Sequence, residues 1–460
     1  MSRTALPARR LISLLALSSF ALAVQAAPAA DDDQRVEELE QRLLVLERKL
    51  ELQQEEAATK AKDAPAPSAG EKGFAIKSGA GDYEIKFNAV GQVDGRYFFS
   101  DDGAFDDGFV TRRLRPTLQG SLGKLVGFRF TPEFAGAVGA GDSASIVDAY
   151  FDLKFHQAAS VRVGKQKGPV GLERLQSGGA IGFVERGFPT ELAPNRDLGV
   201  ALFGELLDSK LSYTLGIFNG TADGRDVAAA DDGLKEFAGR VFFEPFKTNY
   251  SALKGLGFGV AGSAGAKDGT GNNFVSRYRT PGQNQFFTYN ETGVAATGAH
   301  QRISPQARYY YNSLGLIAEY IESEQDLSRG GVEKSIKNEA WSVSGSWVIT
   351  GEDASYRGVK PGRPYTVGGE GWGALELVAR AGSLDVDNSA FAGVAGTDRL
   401  ANPNSQAGKA DSYGVAVNWY LSSNAKLTAD YNETRFDGGA AAGADRRDEK
   451  ALFTRLTIQY

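Results

Sequence analysis

Three arginines stand within four residues in "FVTRRLRPTLQG", which runs from Phe109 to Gly120: Arg112, Arg113 and Arg115. A guanidinium is a planar fork of donors that never loses its charge, so it grips phosphate or carboxylate with paired, charge-assisted hydrogen bonds. The chain as a whole is acidic, with 51 Lys+Arg against 57 Asp+Glu. Positive charge is therefore concentrated locally rather than spread. Further basic residues gather in "VRVGKQKGPVGLERLQSG", with Lys165, Lys167 and Arg174, and in "SRYRTPGQNQFF", with Arg277 and Arg279. The last two are i, i+2, so an extended segment points them the same way. Lys360 and Arg363 form a weaker pair of the same kind. Asp148, in "VDAYFDL", is an acidic residue that could oppose such a cluster.

Other chemistries have little to work with. There is no cysteine, so no disulfide, thiolate zinc site or cysteine nucleophile is possible. The two histidines, His156 in "KFHQAAS" and His300 in "GAHQRIS", have no recognisable nucleophile context. No catalytic residue, metal, cofactor or nucleic-acid partner is expected.

The elements that must position the arginines begin with an export signal, expected over residues 1–27. Arg3, Arg9 and Arg10 precede an apolar run from Leu11 to Val24, and "VQAA" offers small residues for cleavage. The run is too short for a spanning helix, which needs about 20 residues. Residues 31–62 carry Val36, Leu39, Leu43, Leu46 and Leu50 at heptad spacing, with Glu and Arg on the flanks. This is an oligomerising coiled coil or a solvated amphipathic helix. "DAPAPSAGEKG", residues 63–73, reads as an extended linker.

From residue 74 to 460 the period is 2. In "YEIKFNAVGQVDGRYFF" the odd positions are apolar or small and the even positions polar. "SKLSYTLGIFNG", "AKLTADYNETRF" and "LFTRLTIQY" repeat the pattern. A soluble sandwich also alternates. Export, the absence of a break in composition, and aromatics near strand ends ("YFF", "RYYYN", "NWY") favour a membrane barrel. In lipid every backbone group must be paired, so the sheet must close. The expectation is an all-β transmembrane β-barrel of about 16 antiparallel strands, preceded by a short coiled-coil helix. Strand phase then sorts the arginines. Leu114, Leu118 and Leu122 share the lipid phase; Arg113, Arg115, Thr117 and Gln119 share the water phase. Arg112 falls in lipid phase, so it needs the rim or a bulge.

Several stretches together resemble the phosphate-selective porin O/P family of Gram-negative outer membranes. They are "TRRLRPTLQGSL", "VRVGKQKGPVGLERLQSG", "SRYRTPGQNQFF", "VITGEDASYRGVKPGRP", "GALELVARAGSLDVD" and "YGVAVNWYLSSNAKLTADYNET", in the family's order. The resemblance implies a homotrimer of 16-stranded barrels in outer-membrane lipid and lipopolysaccharide, each with a loop folded inward and lines of arginine and lysine that lead anions through. By that reading the stretch from Gly168 to Arg196, which also holds Arg186, is the constriction loop, and Lys165, Lys167 and Arg174 flank the path. Arg277 and Arg279 join a vestibule ladder. Asp148 limits residence at the narrow point, because conduction needs binding weak enough to release. The implied activity is passive, anion-preferring diffusion of phosphate or pyrophosphate. A weakly selective or differently specific porin is the alternative. Val90 occupies a water-phase position where a basic residue would strengthen phosphate selectivity.

Overall fold

The computed structural model describes residues 30–71, 73–99, 107–135, 144–227, 232–249 and 251–460. The expected export signal lies outside the described residues. The chain divides into two compact units, Met1–Ala64 and Pro65–Tyr460.

The first unit holds one helix, α1 (Ala30–Asp63). Its run of Leu, Glu, Arg and Gln favours helix. Arg42 pairs with Glu38 one turn back, and Arg48 with Glu51. The apolar seam residues Val36, Leu39, Leu43, Leu46 and Leu50 are all exposed.

The second unit opens with a hairpin of β1 (Ala66–Gly70) and β2 (Gly73–Lys77). The stretch read as a linker, residues 63–73, thus contains a strand. Alternation is absent there because β1 is too short and too small-residued to show it. β2 pairs in turn with β3 (Glu84–Phe98).

The wall continues through β4 (Gly108–Leu122), β5 (Val126–Glu133), β6 (Ser145–His156) and β7 (Ala159–Gln166). A long inward stretch follows, with two single-turn helices, α2 (Leu172–Leu175) and α3 (Pro189–Leu192). The next strands are β8 (Asp197–Leu206), β9 (Leu211–Phe218), β10 (Glu236–Phe243) and β11 (Gly257–Thr270). A small separate hairpin, β12 (Arg277–Arg279) with β13 (Gln285–Thr288), precedes β14 (Ala295–Tyr311). The wall ends with β15 (Leu314–Arg329), β16 (Val332–Val348), β17 (Ala374–Asp385), β18 (Ala407–Tyr420), β19 (Ala425–Gly438) and β20 (Glu449–Gln459). Each strand pairs antiparallel with its neighbour, and β20 returns to β3, with Leu456 opposite Val93 and Gln459 opposite Val90. Apart from β1 and β2, the sheet is a closed barrel of 16 strands.

The period-2 pattern decides which side chain faces where. Val93, Leu114, Leu118, Phe151, Leu215, Val260 and Leu456 point outward and are exposed, while Gln92, Asp94, Arg96, Arg113, Thr117 and Arg455 point inward and are buried. On β16 the outer face passes from Glu333, Ser335, Lys337 and Glu339 to Trp341, Val343, Gly345 and Trp347. That is a polar zone followed by an apolar band with an aromatic at each edge, the outer surface that lipid selects. Closure leaves no unpaired edge, as hydrocarbon requires.

Turns such as 123–125, 157–158 and 312–313 are short, whereas segments 167–196, 219–227, 271–294 and 386–406 at the opposite end are long. Parts of these segments pack inside the barrel. Phe188, Tyr278, Phe286 and Phe287 meet the inward-facing Ile321, Ile336, Leu384 and Phe436 in one apolar cluster. On β15 to β19 the interior is therefore partly a dry core.

Candidate functional site

The β3–β4 register shifts between Gln92 and Val93. Gln92 faces Arg113, Val93 faces Thr111, and Arg112 is the extra residue of a β-bulge. The bulge turns Arg112 inward without disturbing the outward Leu114. Three closely spaced arginines thereby share the interior.

They meet different partners. Arg112 donates from Nε to Glu185 Oε1 at 2.6 Å and from Nη2 to Oε2 at 3.1 Å. Arg115 Nε lies 2.5 Å from Glu133 Oε2. Arg113 donates from Nη1 to the Gln92 amide oxygen, has no carboxylate partner among the described residues, and leaves its Nε without a hydrogen-bond partner. It is 3% exposed.

Glu185 sits on the inward stretch from Gly168 to Arg196, and its anchors show where that stretch goes. Arg96 and Arg455 also reach Glu185, at 2.9 and 3.2 Å. Burial alone would raise the Glu185 carboxyl, but Arg112, then Arg455 and Arg96, hold it well below the usual carboxylate range. Further along, Val184 N donates to Asp430, Lys426 Nζ donates to Ile181 O at 2.8 Å, and Asn418 Nδ2 donates to Gly182 O at 2.9 Å. At the other end Glu319 accepts from the backbone N–H groups of Leu172 and Glu173, at 2.6 and 3.1 Å. The stretch thus crosses the interior from β7 and β8 to β18, β19 and β20, with a second attachment on β15.

Its own cations mostly hold its own backbone. Lys167 Nζ donates to the carbonyls of Arg174, Leu175 and Gln176 at 2.8, 2.9 and 3.0 Å, closing the end of α2. Arg174 donates to Asn195 Oδ1 and the Thr190 carbonyl. Arg186 donates to the carbonyls of Glu173 and Gln176. Arg174 was expected to flank the path, and the structure instead spends its guanidinium on loop geometry.

Lys165, expected to flank the path, stands on the other side of the wall. β7 runs through Gln166, and Lys165 shares phase with the exposed Val163, opposite Ala149 and Leu198. It lies on the outer face of the barrel, away from the interior. Arg277 and Arg279 do share a side of β12, with Tyr278 fully buried between them, and Arg279 N donates to Glu191 Oε2 at 3.0 Å. They do not line the cavity described next.

That cavity, of about 500 Å³, lies between the inward stretch and strands β3 to β10. Arg113, Arg115, Lys167 and Asp148 line it together, as do Arg129, Arg162, Arg196 and Arg240. Seven of these eight charged residues are basic. Asp148 is shared, 3.2 Å from Arg196 Nε and 3.6 Å from Arg129 Nε. Arg162 pairs with Asp152 at 2.7 Å and lies over the Tyr150 ring at 4.0 Å and the Phe203 ring at 5.1 Å. Arg240 donates to Gln306 Oε1 at 3.0 Å.

Arg129, Arg162, Arg196 and Arg240 were missed in the sequence. Three of them had a signal: "FRF", "VRV" and "GRV" each place an arginine in the phase opposite to apolar neighbours. Arg196 stands in a loop, and nothing local marks it.

His300 is the closest approach to a catalytic constellation. Its Nε2 lies 3.2 Å from both Asp223 Oδ1 and Ser323 Oγ. A hydrolytic triad uses the two ring nitrogens separately, one for the nucleophile and one for the acid. Here serine and aspartate share one nitrogen, and Arg302 claims the same aspartate at 2.8 Å. The group is a buried structural network. His156 Nδ1 accepts from Ala158 N in a turn.

The family model for phosphate-selective porin O and P matches residues 86–460, so the chain belongs to that family. No curated protein matches it. Among solved structures, the outer membrane channel DcaP of Acinetobacter baumannii is 13% identical, with a TM-score of 0.51; the alignment covers 84% of this chain and 99% of that one. OmpT of Vibrio cholerae, an outer membrane protein in trimer form, is 12% identical, with a TM-score of 0.50 and coverage of 82% and 99%. At such identities the likeness shows the fold. Family and fold together make the chain an outer-membrane channel rather than an enzyme.

Proposed function

We propose that this member of the phosphate-selective porin O and P family conducts small anions passively, phosphate and pyrophosphate among them, through a basic passage beside its inward loop. The observation that carries the reading is Arg113: a buried guanidinium with no carboxylate partner among the described residues, lining a cavity whose charged residues are basic except for Asp148. A low-dielectric wall focuses that field, and a dehydrating anion finds donors there. Arg115, Arg129, Arg162 and Arg196 extend the positive lining, each tempered by an acidic neighbour. Asp148 weakens retention so that the anion leaves. Lys167 adds charge while shaping the loop. Arg277 and Arg279, near Glu191, collect anions at the wide end.

The exposed heptad seam of α1 supports an oligomeric assembly in which these helices pair in the periplasm. A homotrimer in outer-membrane lipid and lipopolysaccharide, exported by residues 1–27, completes the proposal.

A planar-bilayer recording in a KCl gradient tests it. The zero-current potential is expected to favour chloride, and added phosphate is expected to lower the chloride current. A potential favouring potassium would sink the proposal. Chloride preference without a phosphate effect selects the weakly selective channel, which Val90 in the cavity lining favours.

A further inference from the structure

The cavity beside Arg113 has more in it than charge. Val90, Pro169, Leu175 and Phe203 line it along with the Tyr150 ring. Val90 stands opposite Arg115 in the β3–β4 register and two residues before Gln92, the partner of Arg113. Phe203 and Tyr150 flank Arg162. Apolar wall and guanidinium are thus set side by side.

A bare inorganic anion gains nothing from such a wall. Phosphate and chloride need donors on every side, and each apolar lining residue takes the place of one. An apolar body gains from the same wall in proportion to the area it removes from water. Size points the same way, because about 500 Å³ falls within the roughly 300–1,000 Å³ typical of sites for organic molecules. Arg113 supplies the seat for a head group. Only its Nη1 is engaged, by Gln92, and its buried Nε is unpartnered. Gly178 lets the loop approach the guanidinium, since a Cβ there would stand 3.2 Å from Arg113 Cζ.

We infer that this cavity holds organic carboxylates with a ring-sized apolar body in preference to inorganic anions, the carboxylate on Arg113 and the body against the apolar lining. The inference rests on the anion-channel reading above and names the solute class within it.

The test titrates benzoate, acetate and inorganic phosphate against the chloride current of single trimers. Benzoate is expected to block at a concentration about ten-fold lower than acetate or phosphate, which corresponds to one extra apolar contact of ordinary strength. Phe203→Ala is expected to remove most of that advantage while changing the acetate block less than two-fold. Val90→Thr keeps the side chain's shape and repeats the test in a variant that leaves no void. Val90→Lys is expected to reverse the order, with phosphate the stronger blocker. Equal block by benzoate and acetate in a chloride-selective wild-type channel overturns this inference alone. A cation-selective zero-current potential overturns the parent reading instead.

Discussion

Arg112 Nε stands 2.6 Å from Glu185 Oε1, and that contact divides the work of two arginines adjacent in the chain. Arg112 pins the inward loop to the wall. Arg113, on the other side of the bulge, lines the cavity and has no carboxylate partner among the described residues. The two substitutions should therefore fail in different ways.

Arg113→Ala is expected to lower the chloride-over-potassium permeability ratio several-fold with the barrel intact. Arg435 lies on the exposed outer face, paired with Glu433, and Arg435→Ala is expected to leave the ratio unchanged. Zero-current potentials of the two variants decide, and equal effects reject the assignment.

Arg112→Ala is expected to act on loop stability. Breaking a buried ion pair costs about 3–5 kcal/mol when a charge is stranded. Glu185 keeps Arg96 and Arg455, so the loss should fall at the low end. Excess open-channel noise and a lower urea midpoint in detergent are the readouts. A quiet channel with an unchanged midpoint would remove Arg112 from the anchor.

Lys165→Gln is expected to change neither selectivity nor conductance, because Lys165 shares phase with Val163 on the outer wall. A drop in chloride preference would place it back in the passage.

Acid should loosen the interior in a defined range. Burial alone would raise the Asp223 carboxyl, but Arg302, then the hydrogen bond and charge of His300, depress it to about 2. A depressed folded-state value means stability that is complete above the unfolded value, near 3.9, and is lost as pH falls towards 2. The shift corresponds to about 2–3 kcal/mol. Asp223→Asn should therefore cost that much or more at pH 7, and its deficit against wild type should shrink between pH 4 and pH 2. A deficit independent of pH over that range would contradict the assignment.

Phe287→Ala is expected to free the β12–β13 hairpin. Phe287 is fully buried, stacked on Tyr278 and edge-on to Tyr289. Truncating such a ring costs about 3–5 kcal/mol. The dry half of the interior should then admit water, and unit conductance should rise. Unchanged conductance in a folded variant would show that the hairpin does not restrict the passage.

Much of the wall was legible because hydrocarbon enforces a simple rule. Leu114, Leu118 and Leu122 had to face outward, and they do. The same rule flagged Arg112 as misplaced and left rim or bulge; the register shift is the bulge. Lys165 misled because its nearness to Lys167 in the chain hid its strand phase, which it shares with the outward Val163. The interior was harder. Ile321, Ile336 and Leu384 face inward as apolar residues, against the rule that lumen positions are polar, because loops rather than water cover them. The pairing of Asp148 with Arg196 joins residues far apart in the chain, and no local pattern records it.

The short strand β2 has a consequence for how the barrel closes. It occupies the edge of β3 from Glu84 to Phe87, and β20 occupies the same edge from Val90 to Phe98. The two segments meet end to end, with Phe74 edge-on to the Tyr460 ring, and a Cβ added at Gly73 would stand 3.4 Å from that ring. β2 and β3 are near neighbours in the chain and can zip early, while β20 must arrive from hundreds of residues away. A closing sheet can slip by two residues without turning any side chain to the wrong face, so phase alone does not forbid the error. Here a slip in one direction would drive Tyr460 into the berth of Phe74. The β2–β3 pairing thus occupies the ground that such a slip would need.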